Sequence, residues 1–242
     1  MSTLADQTNR LAKLSASAHV AAPDPTVKRP RVPRAGRPAT ALITQQAAAD
    51  AALSLIDQDG LEALNLQGVA RVLGVSAPSL YHHFRDKDEI LARVSRKLLE
   101  EVSAEQEAWS INWEQRMVEL SLATRRVLLR HPNAASLVLR FFPRQMMLPA
   151  YENSLVDCPY PPETHAIINE VIEKFTFGSS LFAAAAKAQQ VPPMPAVDTT
   201  HFPRLTRALE MAPTGEEEIY VASLLAILAG LRARYGASPK LD

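Results

Sequence analysis

The sequence predicts an all-α fold in which a small N-terminal unit of short helices is joined to a larger helical C-terminal domain. Three observations lead there. Ala and Leu dominate an apolar fraction of 47% while aromatics make up only 6%, a balance that favours helix over strand. Apolar residues after Thr44 recur at helical spacing. Breaks marked by glycine or an acid divide the first hundred residues into short helices. A length of 242 residues accommodates one large domain or a small one joined to a larger one.

Residues 1 to about 27 are rich in Ala, Ser and Thr, and Pro23 and Pro25 interrupt any helix, so a disordered leader is expected. From Lys28 to Pro38 there are five cations and no acid. Prolines keep such a stretch extended and its charges keep it solvated. It reads either as a charged linker or as an arm lying on a phosphate backbone or in a minor groove. Thr44 then caps a first helix with an Ala48, Ala51, Ala52, Leu55, Ile56 stripe, stopped by Gly60. Asn65 caps a second, with Leu66, Val69, Ala70 and Leu73 on one side, ended by Gly74. Ser76 caps a third, Pro78 occupies its first turn, and Leu80 and Phe84 point inward. Asp86 with Glu89 opens a fourth, whose Ile90, Leu91, Val94 and Leu98 form the buried stripe, running on to about Glu105.

Further helices are expected over Trp113 to Arg130, Asn133 to Phe142, Glu163 to Gln190, Phe202 to Met211 and Glu216 to Tyr235. Residues 143 to 162 hold five prolines and are expected to form loops around one or two helical turns. The last helix is apolar nearly all round, which implies burial on more than one side, the extra side being a partner chain.

Net charge is zero, but unevenly placed. Lys28 to Leu98 holds eleven Lys and Arg against seven Asp and Glu, net +4; Leu99 to Asp242 holds thirteen against seventeen, net −4. An N-terminal basic excess hints at a nucleic-acid partner. The lone Cys158 excludes an internal disulfide and fits a reducing cytoplasm. No export signal is legible, and the apolar run Val221 to Leu231 is short of the roughly 20 residues a bilayer needs, so no membrane partner is expected. No phosphate loop, nucleophile elbow, HExxH or paired Cys ligands occur, so neither catalysis, a metal nor a cofactor is expected. Ser179 lies inside an apparent helix, and the neighbours His82 and His83 point about 100° apart on theirs.

Two short helices joined by a tight glycine turn are the ingredients of a helix-turn-helix. The run from Gly60, Leu61 and Glu62 through Val69 to Lys87, with Gly74, Val75, Ser76, Ala77, Pro78, Ser79, Leu80, Tyr81, His82, His83, Phe84, Arg85 and Asp86, resembles the signature of the tetracycline-repressor (TetR) family of transcriptional regulators. The Gly36, Arg37, Pro38 entry and the Ala51, Ala52, Leu53 to Gly60 helix resemble it too. The resemblance implies an N-terminal three-helix helix-turn-helix DNA-binding domain over residues 37–87, after a leader and basic arm over 1–36. It implies a helical ligand-binding and dimerisation domain over 88–242. Ser76, Ala77, Pro78, Ser79, His82 and His83 would then face the major groove, with Tyr81 and Lys87 on phosphates. Gln67 would read an adenine if it reaches a base edge, Thr44 would add a phosphate contact, and Arg34 and Arg37 would lie in the arm. Many relatives carry a longer polar side chain at the position of Ala77, which shifts base reading toward Ser79 and His82.

The two long C-terminal helices suggest a homodimer, as the resemblance also implies, presenting two recognition helices to a palindromic operator in double-stranded DNA. A small-molecule effector would act by favouring a mismatched arrangement. Trp113, Met117, Phe141, Phe142, Met146, Met147, Tyr151, His165, Phe175 and Phe182 can line its pocket or simply fill the core, with Arg140 or His165 as polar anchors. The rival reading is a sequence-nonspecific DNA-associated or interaction protein without ligand response, distinguished by little preference among sequences and a steep salt dependence.

Overall fold

A computed structural model of the chain describes residues 44–105, 109–192, 194–212 and 215–236. The leader and arm, with Arg34 and Arg37, lie outside the described residues. Every regular element described is helical: α1 Gln45–Asp59, α2 Leu66–Leu73, α3 Ala77–Tyr81, α4 Lys87–Ala104, α5 Trp113–Arg130, α6 Leu137–Arg140, α7 Arg144–Ser154, α8 His165–Ala188, α9 Pro203–Met211 and α10 Glu216–Tyr235, with a 3₁₀ turn over Pro162–Thr164.

The short N-terminal helices are punctuated by their own side chains. Thr44 Oγ1 accepts the Ala47 N–H at 3.0 Å and Asn65 Oδ1 accepts that of Gly68 at 2.8 Å. Ser76 Oγ accepts from Ser79 N–H at 3.3 Å and Asp86 Oδ1 from Glu89 N–H at 2.9 Å. Each satisfies a donor that a helix start leaves orphaned. Gly74, at φ 67°, takes the left-handed conformation that ends α2, while the Val75 N–H returns to Ala70 O at 3.0 Å.

Apolar stripes then lock these pieces together. α1 packs on α2 and α4, and Ala48, Ala52, Ile56, Val69, Leu80, Phe84, Ile90, Val94 and Leu98 are all sealed from solvent. That core continues into the rest of the chain through Leu99, Val102, Val127, Leu128, Leu137 and Val138. α5 and α8 form the main C-terminal pair, with α10 across both. Around them lies a second core of Trp113, Met117, Tyr160, Ile168, Ile172, Tyr220, Leu224 and Leu228. Polar contacts tie α1 to the turn after α5: His131 Nδ1 lies 2.7 Å from Asp57 Oδ2, its Nε2 3.3 Å from Glu101 Oε2, and Asn133 donates to the carbonyls of Ile56 and Asp57 at 3.2 Å.

Two expectations are corrected. The helix expected over Asn133 to Phe142 is reduced to the four residues of α6, preceded by turns. The expected loop from 143 contains the eleven-residue α7, with Pro149 inside it. Only Pro143 sits where a helix readily tolerates proline; Pro149 stands inside it. Pro143 is the N-cap, its carbonyl accepting the Met147 N–H at 3.2 Å, and Pro149 removes only the donor that would have met Gln145 O. In α10 the chain buries one stripe, Tyr220, Leu224, Leu228 and Leu231, and leaves Ile219 and Leu225 about half exposed.

Candidate functional site

Two places concentrate chemistry. The first is α3 and its flanks. Leu80 and Phe84 are fully buried and clamp the five-residue helix to the core, so the residues between them have nowhere to go but outward. Tyr81 is 54% exposed, and His82 and His83 are exposed beside it. At the other end Ser76 and Pro78 are exposed while Ala77 packs half-buried against the core. The Ser76 and Ser79 hydroxyls lie 2.7 Å apart, so their first hydrogen bond is to each other. Gln67 is exposed on α2, Thr44 is exposed with its oxygen engaged in capping, and Lys87 is half-buried at the start of α4.

The second is a half-open cavity of about 250 Å³ lined by α4, α5, α7 and α8. Its walls are mainly apolar: Leu99 and Val102 from α4, Met117 and Leu120 from α5, Met146 and Met147 from α7, Ile172 and Phe177 from α8. The polar groups are Glu100, Ser103, Ser121, Thr124, Tyr151, Ser154, Asn169, Glu173 and Thr176. Burial, reinforced by a hydrogen bond to Glu173, pushes the Tyr151 phenol above its ordinary range. Thr176 Oγ1 donates to Ser121 Oγ at 3.0 Å, and the buried Tyr220 hydroxyl donates to the Ser121 carbonyl at 3.1 Å. Burial also raises the Tyr220 phenol, against the pull of these hydrogen bonds.

Residues 49–94 match the family described as bacterial regulatory proteins, tetR family, and residues 110–235 match the tetracyclin repressor-like C-terminal domain. The chain belongs to the tetR family. It is 29% identical to the tetracycline repressor protein class E of Escherichia coli over 137 residues, which are 54% of this chain and 64% of that repressor. A helix-turn-helix-type transcriptional regulator of Saccharopolyspora erythraea is 35% identical over 96 residues, 40% of each chain. The match therefore spans less than two thirds of either relative. The class D repressor of Escherichia coli aligns more fully, 23% identical over 81% of this chain and 93% of its own length. Among solved structures, TetR from Acinetobacter baumannii superposes with a TM-score of 0.64 at 20% identity, covering 81% of this chain and all of that one. The Streptomyces coelicolor TetR family protein ActR bound to (S)-DNPA gives 0.59 at 26%, covering 80% of this chain and 99% of that one.

In this tetR-family chain the cavity brings together Met117, Met147 and Tyr151 of the expected pocket residues, along with Met146. The other six stand elsewhere, Phe142 edge-on to Phe177 with ring centroids 5.6 Å apart. Trp113 is 4% exposed in the second core, its indole N–H donating to the Ser154 carbonyl at 2.7 Å. Phe141 packs half-buried on the first core under the Arg140 guanidinium. His165 Nε2 is held 2.9 Å from the Tyr160 carbonyl, Phe175 stacks on Tyr220 at 5.2 Å, and Phe182 is 74% exposed. Arg140 pairs with Asp88 at 2.8 Å and reaches no cavity wall. The cavity's carboxylates, Glu100 and Glu173, escaped sequence reasoning because each sits in a charged run that reads as a solvated helix face. Arg85, with its side chain 90% exposed just past His83, is a further cation of the α3 end. The signal for it was its place after a buried Phe84.

Proposed function

We propose that this chain is a sequence-specific DNA-binding transcriptional repressor, working as a homodimer on a palindromic operator and released by a small molecule held in the cavity. The observation that carries the reading is the course of α4. One uninterrupted helix of eighteen residues starts at the Asp86 cap, two residues beyond the Phe84 that anchors α3, buries Ile90, Leu91 and Val94 in the N-terminal core, and ends with Leu99 and Val102 in the cavity wall. A ligand pressing on its far end acts on a helix that shares its buried core with Leu80 and Phe84, the anchors of α3.

In this reading residues 37–87 form the DNA-reading unit and 88–242 the sensing and dimerising one. Ser79 and His82 read base edges, Pro78 offers an apolar contact to a thymine methyl, and Tyr81, Lys87 and the Thr44 hydroxyl hold phosphates, with Gln67 and the arm cations Arg34 and Arg37 adding to them. Exposed apolar side chains on α8 and α10, among them Val171, Phe182, Ile219 and Leu225, are the surface for a second copy. Two α3 helices must meet successive major grooves about 34 to 36 Å apart, so a small rotation spoils the fit. Relatives solved with actinorhodin and with minocycline lend weight to a ligand-responsive family role. A cytoplasmic location follows from that role.

The test is competition binding at fixed salt. A preference of about 10³-fold or more for one palindrome over random DNA is expected, lost in Tyr81→Ala and His82→Ala. Uniform affinity with a steep salt dependence overturns the repressor reading in favour of nonspecific association.

A further inference from the structure

Resting on the ligand-release reading above, we propose that the cavity selects a compact organic cation: a one- or two-ring apolar body carrying an ammonium group that is set against Glu173. Size comes first. A dry cavity of about 150 Å³ takes up benzene; at about 250 Å³ this one has room for a fused second ring with a short substituent. Leu99, Val102, Met117, Met147, Ile172 and Phe177 supply contact for such a body.

Charge comes second. The lining holds two carboxylates, Glu100 and Glu173, and no Lys, Arg or His. Glu100 is shared with Arg96 at 3.8 Å, and both side chains are about half exposed, so it is partly neutralised at the edge. Glu173 is half-buried and, among the described residues, has no cation within ion-pair distance, since the neighbouring Lys174 is taken by Glu170. Tyr151, on a different helix, lines the same cavity as Glu173. The Asn169 carboxamide oxygen accepts from Ser154 Oγ at 3.2 Å, leaving its NH₂ as a donor one helical turn before Glu173.

A bound anion would give up its hydration in a site that answers with like charge. A neutral molecule would gain the apolar contact alone. A monocation gains the contact and an ion pair in a part-desolvated place, where Coulomb attraction is several times stronger than in water.

The experiment is a matched trio titrated calorimetrically into the purified full chain at neutral pH: 1-naphthylmethylammonium, 1-naphthalenemethanol and 1-naphthoate. The cation should bind at least about tenfold more tightly than the anion, with the alcohol between them. Glu173→Gln, shown to be folded by an unchanged melting profile, should bring the cation to the level of the alcohol. An anion that binds as well as the cation overturns the proposal, as does a cation advantage that survives in Glu173→Gln, or no binding by any of the three. The wild-type trio decides the point without a variant. Should the ammonium compound bind as described while the operator stays held at saturation, the release reading fails and the charge selectivity stands. Release by an anionic compound would do the reverse.

Discussion

Around α3, five helical residues are held by two buried anchors and everything between faces outward; around the cavity, four helices face inward and leave about 250 Å³ unfilled. The first region is built from neighbours in sequence: Ser76 capping Ser79, Gly74 turning the chain, Leu80 and Phe84 four residues apart. The second is built from residues far apart in the chain, such as Glu100, Met117, Tyr151 and Glu173. One is a filled wedge that depends on tight anchoring. The other is a hollow that depends on stiff walls, so the two should fail differently when cut.

The largest effect is expected at the wedge. Phe84→Ala removes the fully buried ring beneath α3 and should cost about 3–5 kcal/mol of unfolding free energy in urea titration; a loss under 1 kcal/mol would mean that α3 is held by its caps alone. Next comes the cavity wall. Thr176→Val keeps the volume but takes from the buried Ser121 Oγ the hydroxyl that donates to it, while Tyr220 keeps the Ser121 carbonyl, and a loss of about 1–3 kcal/mol is expected. If it is neutral, that polar seam is ornamental and the walls stand on apolar packing. Smaller again, Asn65→Ala removes the α2 cap and should cost about 1 kcal/mol, with operator affinity following stability.

The smallest effect concerns the turn before α9. Hydrogen bonds from the Thr200 hydroxyl, then from His201, hold the exposed Asp198 carboxyl down at about 2. A carboxylate whose pKa falls on folding adds stability above its unfolded pKa of about 3.9, and that contribution fades as pH drops toward about 2. Wild type and Asp198→Asn should therefore differ in local amide exchange of residues 198–202 at neutral pH and converge as the carboxyl protonates. A difference that persists in acid would show that the turn does not depend on the charge.

The same contrast explains what could be read in advance. α1 to α5 start where capping side chains mark them, and α1 and α2 stop at Gly60 and Gly74, because a helix terminus is a local negotiation over a few orphaned backbone groups. α7 was hidden by Pro143 and Pro149, which break helices in general but occupy a cap and a second turn here. Exposure of Tyr81, His82 and His83 follows from the Leu80 and Phe84 spacing, so the wedge was legible. The cavity was not. Trp113 and Phe175 looked like lining because they are large and apolar, yet a size-and-hydropathy criterion cannot tell a filled core from the rim of a void. Glu173 looked like a surface charge because its neighbours Glu170 and Lys174 are one.

α7 buries none of its side chains completely, although Met146, Met147 and Tyr151 from it close one side of the cavity. Shutters of this sort can be recut without rebuilding the house: under the proposed ligand-responsive role, exchanging those three residues alters chemical taste while the anchors under α3 and the full course of α4 are left alone. For anyone wanting a genetic sensor tuned to a new compound, a randomised library over that single short helix is the natural place to begin.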